Sequence, residues 1–402
     1  MQHIVIINQQ YPPEVAATGQ IFRAMAEYFV RAGDAVTVVT GTPYYPGLEG
    51  RPPRREEMGG VAVHRLPNTT LPKKSFLGKL LNLSTFQISL LCYCLFRLKK
   101  SDTVLVATAP PMAVLCAALG KALHRCRVVM TVQDLYPDVL AASGLSKTNA
   151  PGYRLLHALM RRAMRACDAV AAISTDMQQH LEIDYGLTGV RIIPNLFPET
   201  IARLEPAKAK AARGWQDKLV VQYSGNFGVA HEYQTLLGAV RRLRDDPGIL
   251  FQVAGAGRNY DAFRRDCEAE ALPNITFEGY APLDKLEGHL GVADLSVVVM
   301  NAAFRAVLLP SKYYGILASG RAVLLISGCE SDILRDINRE EIGLCFDHGE
   351  SEKLADALRG FAKDRQAVAA MGIRARALYE ARYAQGVVLE GYHTLLQEGE
   401  SK

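Results

Sequence analysis

The sequence predicts an α/β protein of two Rossmann-like parallel-sheet domains facing an interdomain cleft, and three observations carry that reading. Its 402 residues exceed one ordinary hydrophobic core and suit two domains of about 200 residues each. A hydrophobic content of 49% beside 22% charged residues is the balance of a folded globular chain. Short β-branched runs alternate with helical stretches along the whole length, as in βαβ units around parallel sheets.

In the first half, strands are expected near residues 3–8, 35–40, 61–66, 103–107, 127–132, 169–173 and 190–193. In the second half they are expected near 219–223, 250–254, 275–277, 295–299, 322–326 and 343–346. Continuous apolar runs of this kind suit strands covered on both faces. The proline-rich stretch from Ile193 to Pro206 reads as a linker. The expected domains are therefore 1–195 and 206–385, with 386–402 a helix crossing back towards the first.

The start of the chain, Met1–Ile7, reads as a buried strand and lacks the marks of a secretory signal. Eight cysteines are scattered without metal-site spacing, as buried thiols are in a reducing compartment. A cytoplasmic location is expected. Residues 1–195 carry 21 Lys and Arg against 13 Asp and Glu, a net of +8, whereas the rest of the chain nets −3. That asymmetry directs the first half at something anionic.

Ligands of open parallel sheets sit at the carboxyl ends of strands, so the loops after strands are the places to look for chemistry. The first, Gln9–Gly19, places Ala16, Ala17 and Gly19 where backbone N–H groups at a helix start can approach a phosphate, or where an ordinary βα turn needs small residues. The second, Tyr223–Gly228, offers Ser224, Gly225, Asn226 and Gly228 as a backbone cradle, a weak signal alone. The third, Val253–Arg258, adds Gly255 and Gly257, and the fourth, Phe277–Pro282, adds Gly279 and Tyr280. In the fifth, Pro310 and Ser311 open a helix with Lys312 in its first turn. A cation is unfavourable there unless an anion joins it, the alternative being a solvated surface lysine.

Taken together, the Tyr11–Gly19, Val132–Asp138 and Pro310–Arg321 segments resemble glycosyltransferase family 4 of the GT-B fold, in its bacterial surface-polysaccharide branch. The resemblance spans nearly the whole chain. It implies a retaining transferase that moves a sugar from a nucleotide sugar, with uridine the favoured base, to a lipid-linked saccharide. It further implies that Ser224, Gly225, Asn226 and Gly228 face the sugar and diphosphate, that Gly279 and Tyr280 lie near the base, and that Ser311 and Lys312 meet the phosphates. Gly19 would close over the diphosphate. Many members carry two glutamates seven residues apart near Pro310–Lys312; here there is no carboxylate from Arg305 to Gly315, and Gly315 stands in the second position. The basic pair that often follows the glycine loop is absent too, with His231 and Glu232 in that vicinity.

The sequence contains no Asp-x-Asp pair, so neither a metal site nor a cofactor is expected, and Lys312 is left to stabilise the leaving diphosphate. Asp134, after the strand at 127–132, is the candidate to position or deprotonate an acceptor hydroxyl, or else it caps the next turn. Asp138 reads as structural. Glu330 and Asp332 follow another strand and either meet substrate or belong to a helix cap with Ser331.

Residues 76–96 are apolar but interrupted by Lys79, Asn82, Ser84, Thr85, Gln87 and Ser89, which argues for a core or interfacial helix rather than a span. With Arg154, Arg161, Arg162 and Arg165 at helical spacing, the first domain is expected to rest peripherally on an anionic membrane, on the inner face of the plasma membrane. Nucleic acid is not expected, because basic segments lack interleaved aromatics. The rival readings are a sugar-nucleotide epimerase and a non-catalytic nucleotide-sugar binder.

Overall fold

A computed structural model describes residues 2–14, 16–43, 52–71, 76–197, 201, 206–228 and 231–398. The chain divides into two compact units. One comprises Met1–Pro194, Ala306–Leu308 and Gln385–Lys402, and the other Asn195–Arg305 and Leu309–Ala384. Lys73, Lys74 and much of the expected linker fall outside the described residues.

The first unit holds strands β1 (His3–Ile7), β2 (Ala35–Gly41), β3 (Arg55–Met58), β4 (Val61–Leu66), β5 (Asp102–Ala107), β6 (Arg127–Val132), β7 (Ala169–Ala172) and β8 (Arg191–Ile192). They form one sheet in the order β3-β4-β2-β1-β5-β6-β7-β8. All pairs are parallel except β3 with β4, where Arg55 faces His64 and Met58 faces Val61. The strand β3 is absent from the expectation because its four residues, three of them charged, never enter the core and form only an edge.

The second unit holds β9 (Leu219–Asn226), β10 (Ile249–Ala256), β11 (Ile275–Glu278), β12 (Leu295–Met300), β13 (Ala322–Ser327) and β14 (Gly343–Phe346), in the order β11-β10-β9-β12-β13-β14. The order reverses between β9 and β12 here, and between β1 and β5 in the first unit. These are the switch points outside which doubly wound sheets bind ligands. All residues of β5, β12 and β13 are buried, as strands covered on both faces require.

Helix Gln385–Gln397 packs on the first unit. Tyr392 pairs with Thr131 at 2.7 Å, His393 Nε2 lies 2.8 Å from Asp34, and the Leu395 carbonyl accepts from Arg127 at 3.0 Å. Helix Phe76–Phe96 buries Phe86, Leu90 and Cys94, and leaves Leu77, Leu80, Leu81 and Ile88 exposed. By length and composition Leu77–Phe96 is long and apolar enough to cross a membrane. Three of its six polar interruptions, however, have partners within the fold. Asn82 bonds both backbone groups of Leu71, Thr85 meets Thr69, and Ser89 donates to the Pro67 carbonyl. The basic face on helix Pro151–Arg165 is smaller than its four arginines suggest. Arg161 and Arg165 are committed to the carbonyls of Tyr185 and Gly186. The cysteines are all free thiols, and those at 94, 116, 126 and 267 are buried.

Candidate functional site

The loops after β9 and β10 begin as extra rungs of the sheet. Pairing between β9 and β10 does not stop at Tyr223 but continues through Gly225 with Gly255 and Asn226 with Ala256. Only glycine permits this. Gly225 and Gly255 have φ of 129° and 135°, and a Cβ on Gly255 would lie 2.0 Å from the Gly225 carbonyl oxygen. Gly257 is as tight, its Cβ direction blocked at 2.6 Å by the Phe227 carbonyl. The two loops are therefore stitched together at the carboxyl edge of β9, beside the β9–β12 switch point. Gly228 and Gly279 have open or soft surroundings, so the fold does not require glycine there.

Lys312 completes this edge. Its side chain runs past Gly225 and sets its ammonium 3.5 Å above the Tyr223 ring. The stem retains some exposure, but Nζ is out of solvent and has no hydrogen-bond partner among the described residues. Burial pushes the Lys312 pKa well below that of an ordinary lysine. His231 stands beside it with Nδ1 buried and unpartnered, its ring edge-on to Tyr223 and Phe227. Burial, and then the charge of Lys312, lower its pKa to about 4. The Lys312 ammonium thus stands unsatisfied against a glycine-lined edge, an arrangement that costs free energy until an anion arrives. Glu232, by contrast, is fully used, capping the next helix through Thr235 and facing His348 at 3.3 Å.

Below this edge, Gly279 and Tyr280 line a cavity of about 560 Å³ together with Arg213, Glu278, Lys285 and His289. Tyr280 is 60% exposed, an aromatic face open to a flat ligand.

Residues 17–195 match the glycosyl transferase 4-like domain. A relative named as a glycosyl transferase of colanic acid biosynthesis, WcaI of Escherichia coli (strain K12), is 28% identical over 340 residues, covering 79% of this chain and 81% of that one. Over its first half and along most of its length, the chain is therefore similar to glycosyltransferases of family 4. Among solved structures, sucrose-phosphate synthase from Thermosynechococcus elongatus aligns over 99% of both chains at 16% identity with a TM-score of 0.76. HepE from Anabaena, solved with UDP and glucose, aligns over 99% of this chain and 100% of its own at 15% identity with a TM-score of 0.69. The fold is GT-B.

In this glycosyltransferase the missing second glutamate has a physical reason. Gly315 lies in helix Lys312–Ala318, and a Cβ there would come within 2.9 Å of the Phe197 ring. Phe197 packs on the buried cluster of Tyr313, Tyr314 and Tyr383, so the space a carboxylate would occupy is filled by an aromatic side chain. Ser311 precedes that helix, is exposed, and makes no capping bond through its side chain.

The remaining candidates divide by unit. Asp332 sits in the first turn of helix Asp332–Glu340, capped by Ser331 at 3.2 Å, and pairs with Arg335 at 2.7 Å; this is the capping alternative. Glu330 is exposed just before that cap. In the first unit, Gly19 lies in helix Ala17–Arg31, whose start has no side-chain cap and whose Gly19 Cβ direction meets the Gln10 carbonyl at 3.4 Å. Asp134 follows β6 with its amide donating to Thr108 at 3.3 Å. The residue as a whole is exposed, yet desolvation of its carboxyl by the surrounding protein raises its pKa above the ordinary carboxylate value. Asp138 is buried and takes hydrogen bonds from His180 at 3.0 Å, Tyr153 at 3.2 Å and Tyr185. Sequence reasoning singled out Lys312 and the glycines. It missed Tyr223 as the surface under Lys312, and also His289, a lone histidine in a short helix with no pattern to mark it.

Proposed function

We propose that this glycosyltransferase takes a sugar from a UDP-sugar, with retention at the anomeric carbon, and gives it to a lipid-linked saccharide in surface-polysaccharide assembly. The observation that carries the donor half is the buried, unpartnered ammonium of Lys312 at the glycine-stitched edge of β9. A diphosphate there receives a charge-assisted hydrogen bond from Lys312 and backbone dipoles from the loops. The same contacts strengthen as the leaving group gains charge. Asp134 orients the acceptor hydroxyl and takes up its proton. No resident metal enters this scheme, so activity is expected to survive a chelator.

Uridine is favoured by HepE, whose structures were solved with UDP and with UDP-glucose. The pathway is favoured by the name of WcaI. The acceptor's lipid agrees with the exposed Leu77, Leu80, Leu81 and Ile88 of helix Phe76–Phe96, a helix followed directly by the basic Arg97, Lys99 and Lys100. This face suits peripheral attachment to the anionic inner leaflet.

The test is a thermal-shift screen against UDP, GDP, ADP and their sugar conjugates, followed by transfer assays with lipid-linked acceptors. A ligand that binds only the folded state raises the melting temperature with its concentration. The proposal expects the uridine pair to act and donor to be consumed in proportion to acceptor. Consumption without acceptor would favour an epimerase, and binding without consumption a non-catalytic binder. Flotation with anionic vesicles tests the membrane face, and binding equal to that on neutral vesicles would reject it.

A further inference from the structure

The diphosphate edge leaves unused a row of polar side chains on the other face of the same strands. Parallel register places Ser224, Ala254 and Glu278 side by side across β9, β10 and β11. Residues so paired point to one face, here the face from which His289 of helix Leu286–Gly291 reaches the strands. His289 is 5% exposed. Its Nε2 lies 3.2 Å from Ser224 Oγ, and its Nδ1 lies 3.8 Å from the Glu278 carboxylate. Glu278 in turn is held by the Arg213 guanidinium. The backbone carbonyl of His289 is fixed by the Gln222 amide at 2.7 Å, and that amide also bonds Gln252 at 2.8 Å.

This geometry decides the ring's protonation. Burial lowers the His289 pKa, against the pull of Glu278, so the ring is neutral at neutral pH. A carboxylate on the Nδ1 side favours the tautomer with its proton on Nδ1. Nε2 is then an acceptor, and the Ser224 hydroxyl spends its hydrogen on it. The Ser224 oxygen is left with lone pairs to offer at the start of the Gly225–Gly228 loop. Protonation of His289 reverses this order: Nε2 donates to Ser224, and the serine hydrogen is released. The charged groups facing the ring are Glu278 from β11 and Arg213 from the segment after helix Pro206–Ala211; Lys285 and Asp284 line the same cavity. Ser224 and Gln222 from β9 are neutral.

We propose that His289 is a positioning residue that holds Ser224 as a hydrogen-bond acceptor for a hydroxyl group on the sugar of the donor, and that its protonation, by occupying a lone pair of Ser224, weakens that contact. The proposal rests on the donor-site reading above and adds which part of the donor the serine reads. No covalent bond is made or broken; a single proton on the imidazole sets how well the serine accepts.

The test compares dissociation constants of a nucleoside diphosphate and its matched nucleotide sugar, using the UDP/UDP-glucose, GDP/GDP-mannose and ADP/ADP-glucose pairs, at pH 8 and in steps down through the acid range in which the wild-type protein stays folded. Ser224→Ala and His289→Asn should each weaken the nucleotide sugar by about tenfold, the size of one lost hydrogen bond, and change the diphosphate by less than about twofold. The double variant should lose no more than either single one, since both break the same contact. His289→Gln keeps an acceptor near the Nε2 position, so it should retain affinity and lose the extra weakening in acid. Equal weakening of diphosphate and sugar conjugate in His289→Asn would show a structural role and overturn the proposal. So would additive losses, or an acid effect that persists in His289→Gln. If His289→Asn does not fold, the acid effect in His289→Gln decides alone. A wild-type protein that binds none of the pairs rejects the donor-site reading itself, and this proposal with it.

Discussion

Two buried charged centres, one in each unit, are built on opposite terms. Asp138 in the first unit receives three hydrogen bonds, from His180, Tyr153 and Tyr185. Burial alone would raise its pKa, but those bonds from His180 and Tyr185 outweigh it and hold the carboxyl below its ordinary range. Lys312 in the second unit is buried at its tip, has no partner among the described residues but the Tyr223 ring, and its pKa falls. A satisfied centre stabilises the fold and has nothing left to give a ligand. An unsatisfied one destabilises the fold and keeps its capacity for an incoming anion. The contrast separates structural from functional charge without reference to any relative.

The largest effect expected from this comparison is at Lys312. Lys312→Met should abolish the thermal shift caused by the nucleoside diphosphate, a loss of at least about 100-fold in affinity for a buried charge-assisted contact. The same change should raise the melting temperature of the ligand-free protein, because it removes a buried unpaired cation at similar volume. A variant that binds normally, or that is less stable without ligand, would break the contrast.

Asp138→Asn is expected to do the reverse. It should destabilise the first unit by roughly 2–4 kcal/mol through the orphaned partners, and leave diphosphate affinity unchanged, as separate melting and titration experiments would show. Unchanged melting would deny the cluster its structural role.

A smaller effect is the pH dependence of that cluster. The His180 pKa is raised, first by its hydrogen bond to Asp138, so its contribution is complete below about 6.5, the unfolded value, and is lost as pH rises through the raised folded value. The Asp138 pKa is lowered, so its contribution is present above about 3.9 and is lost as pH falls through the lower folded value. Between those limits both hold. His180→Gln should flatten the alkaline side by about 1 kcal/mol in denaturant titrations, and an unaltered profile would remove His180 from the account.

Much of this was legible in the sequence, for physical reasons. Strands buried on both faces write themselves as continuous apolar runs, so β5, β12 and β13 were readable, whereas the exposed edge strand β3 has no such signature. Lys312 was conspicuous because a cation at a helix start contradicts the helix dipole. Asp332 was readable only as an alternative, since a carboxylate after a strand serves a cap as readily as a ligand. His289 was not readable at all. Its meaning depends on the register that sets Ser224 and Glu278 on one face, and register is a property of the folded sheet. The polar residues of Phe76–Phe96 were readable only as interruptions of an apolar run; that Asn82, Thr85 and Ser89 bond the segment before the helix is a property of the fold.

The central claim is that the Lys312 ammonium is held in reserve for a diphosphate, and calorimetry tests it most directly. The nucleoside diphosphate that wild-type protein binds is titrated at steps from pH 7 to pH 10 in pairs of buffers of different ionisation enthalpy. A lysine whose pKa is depressed in the free protein and restored by a bound anion takes up a proton at pH values between the two. The account predicts a buffer-dependent enthalpy reporting proton uptake in the wild type, absent in Lys312→Met. Binding with no proton uptake, or with the same uptake in both proteins, would contradict it.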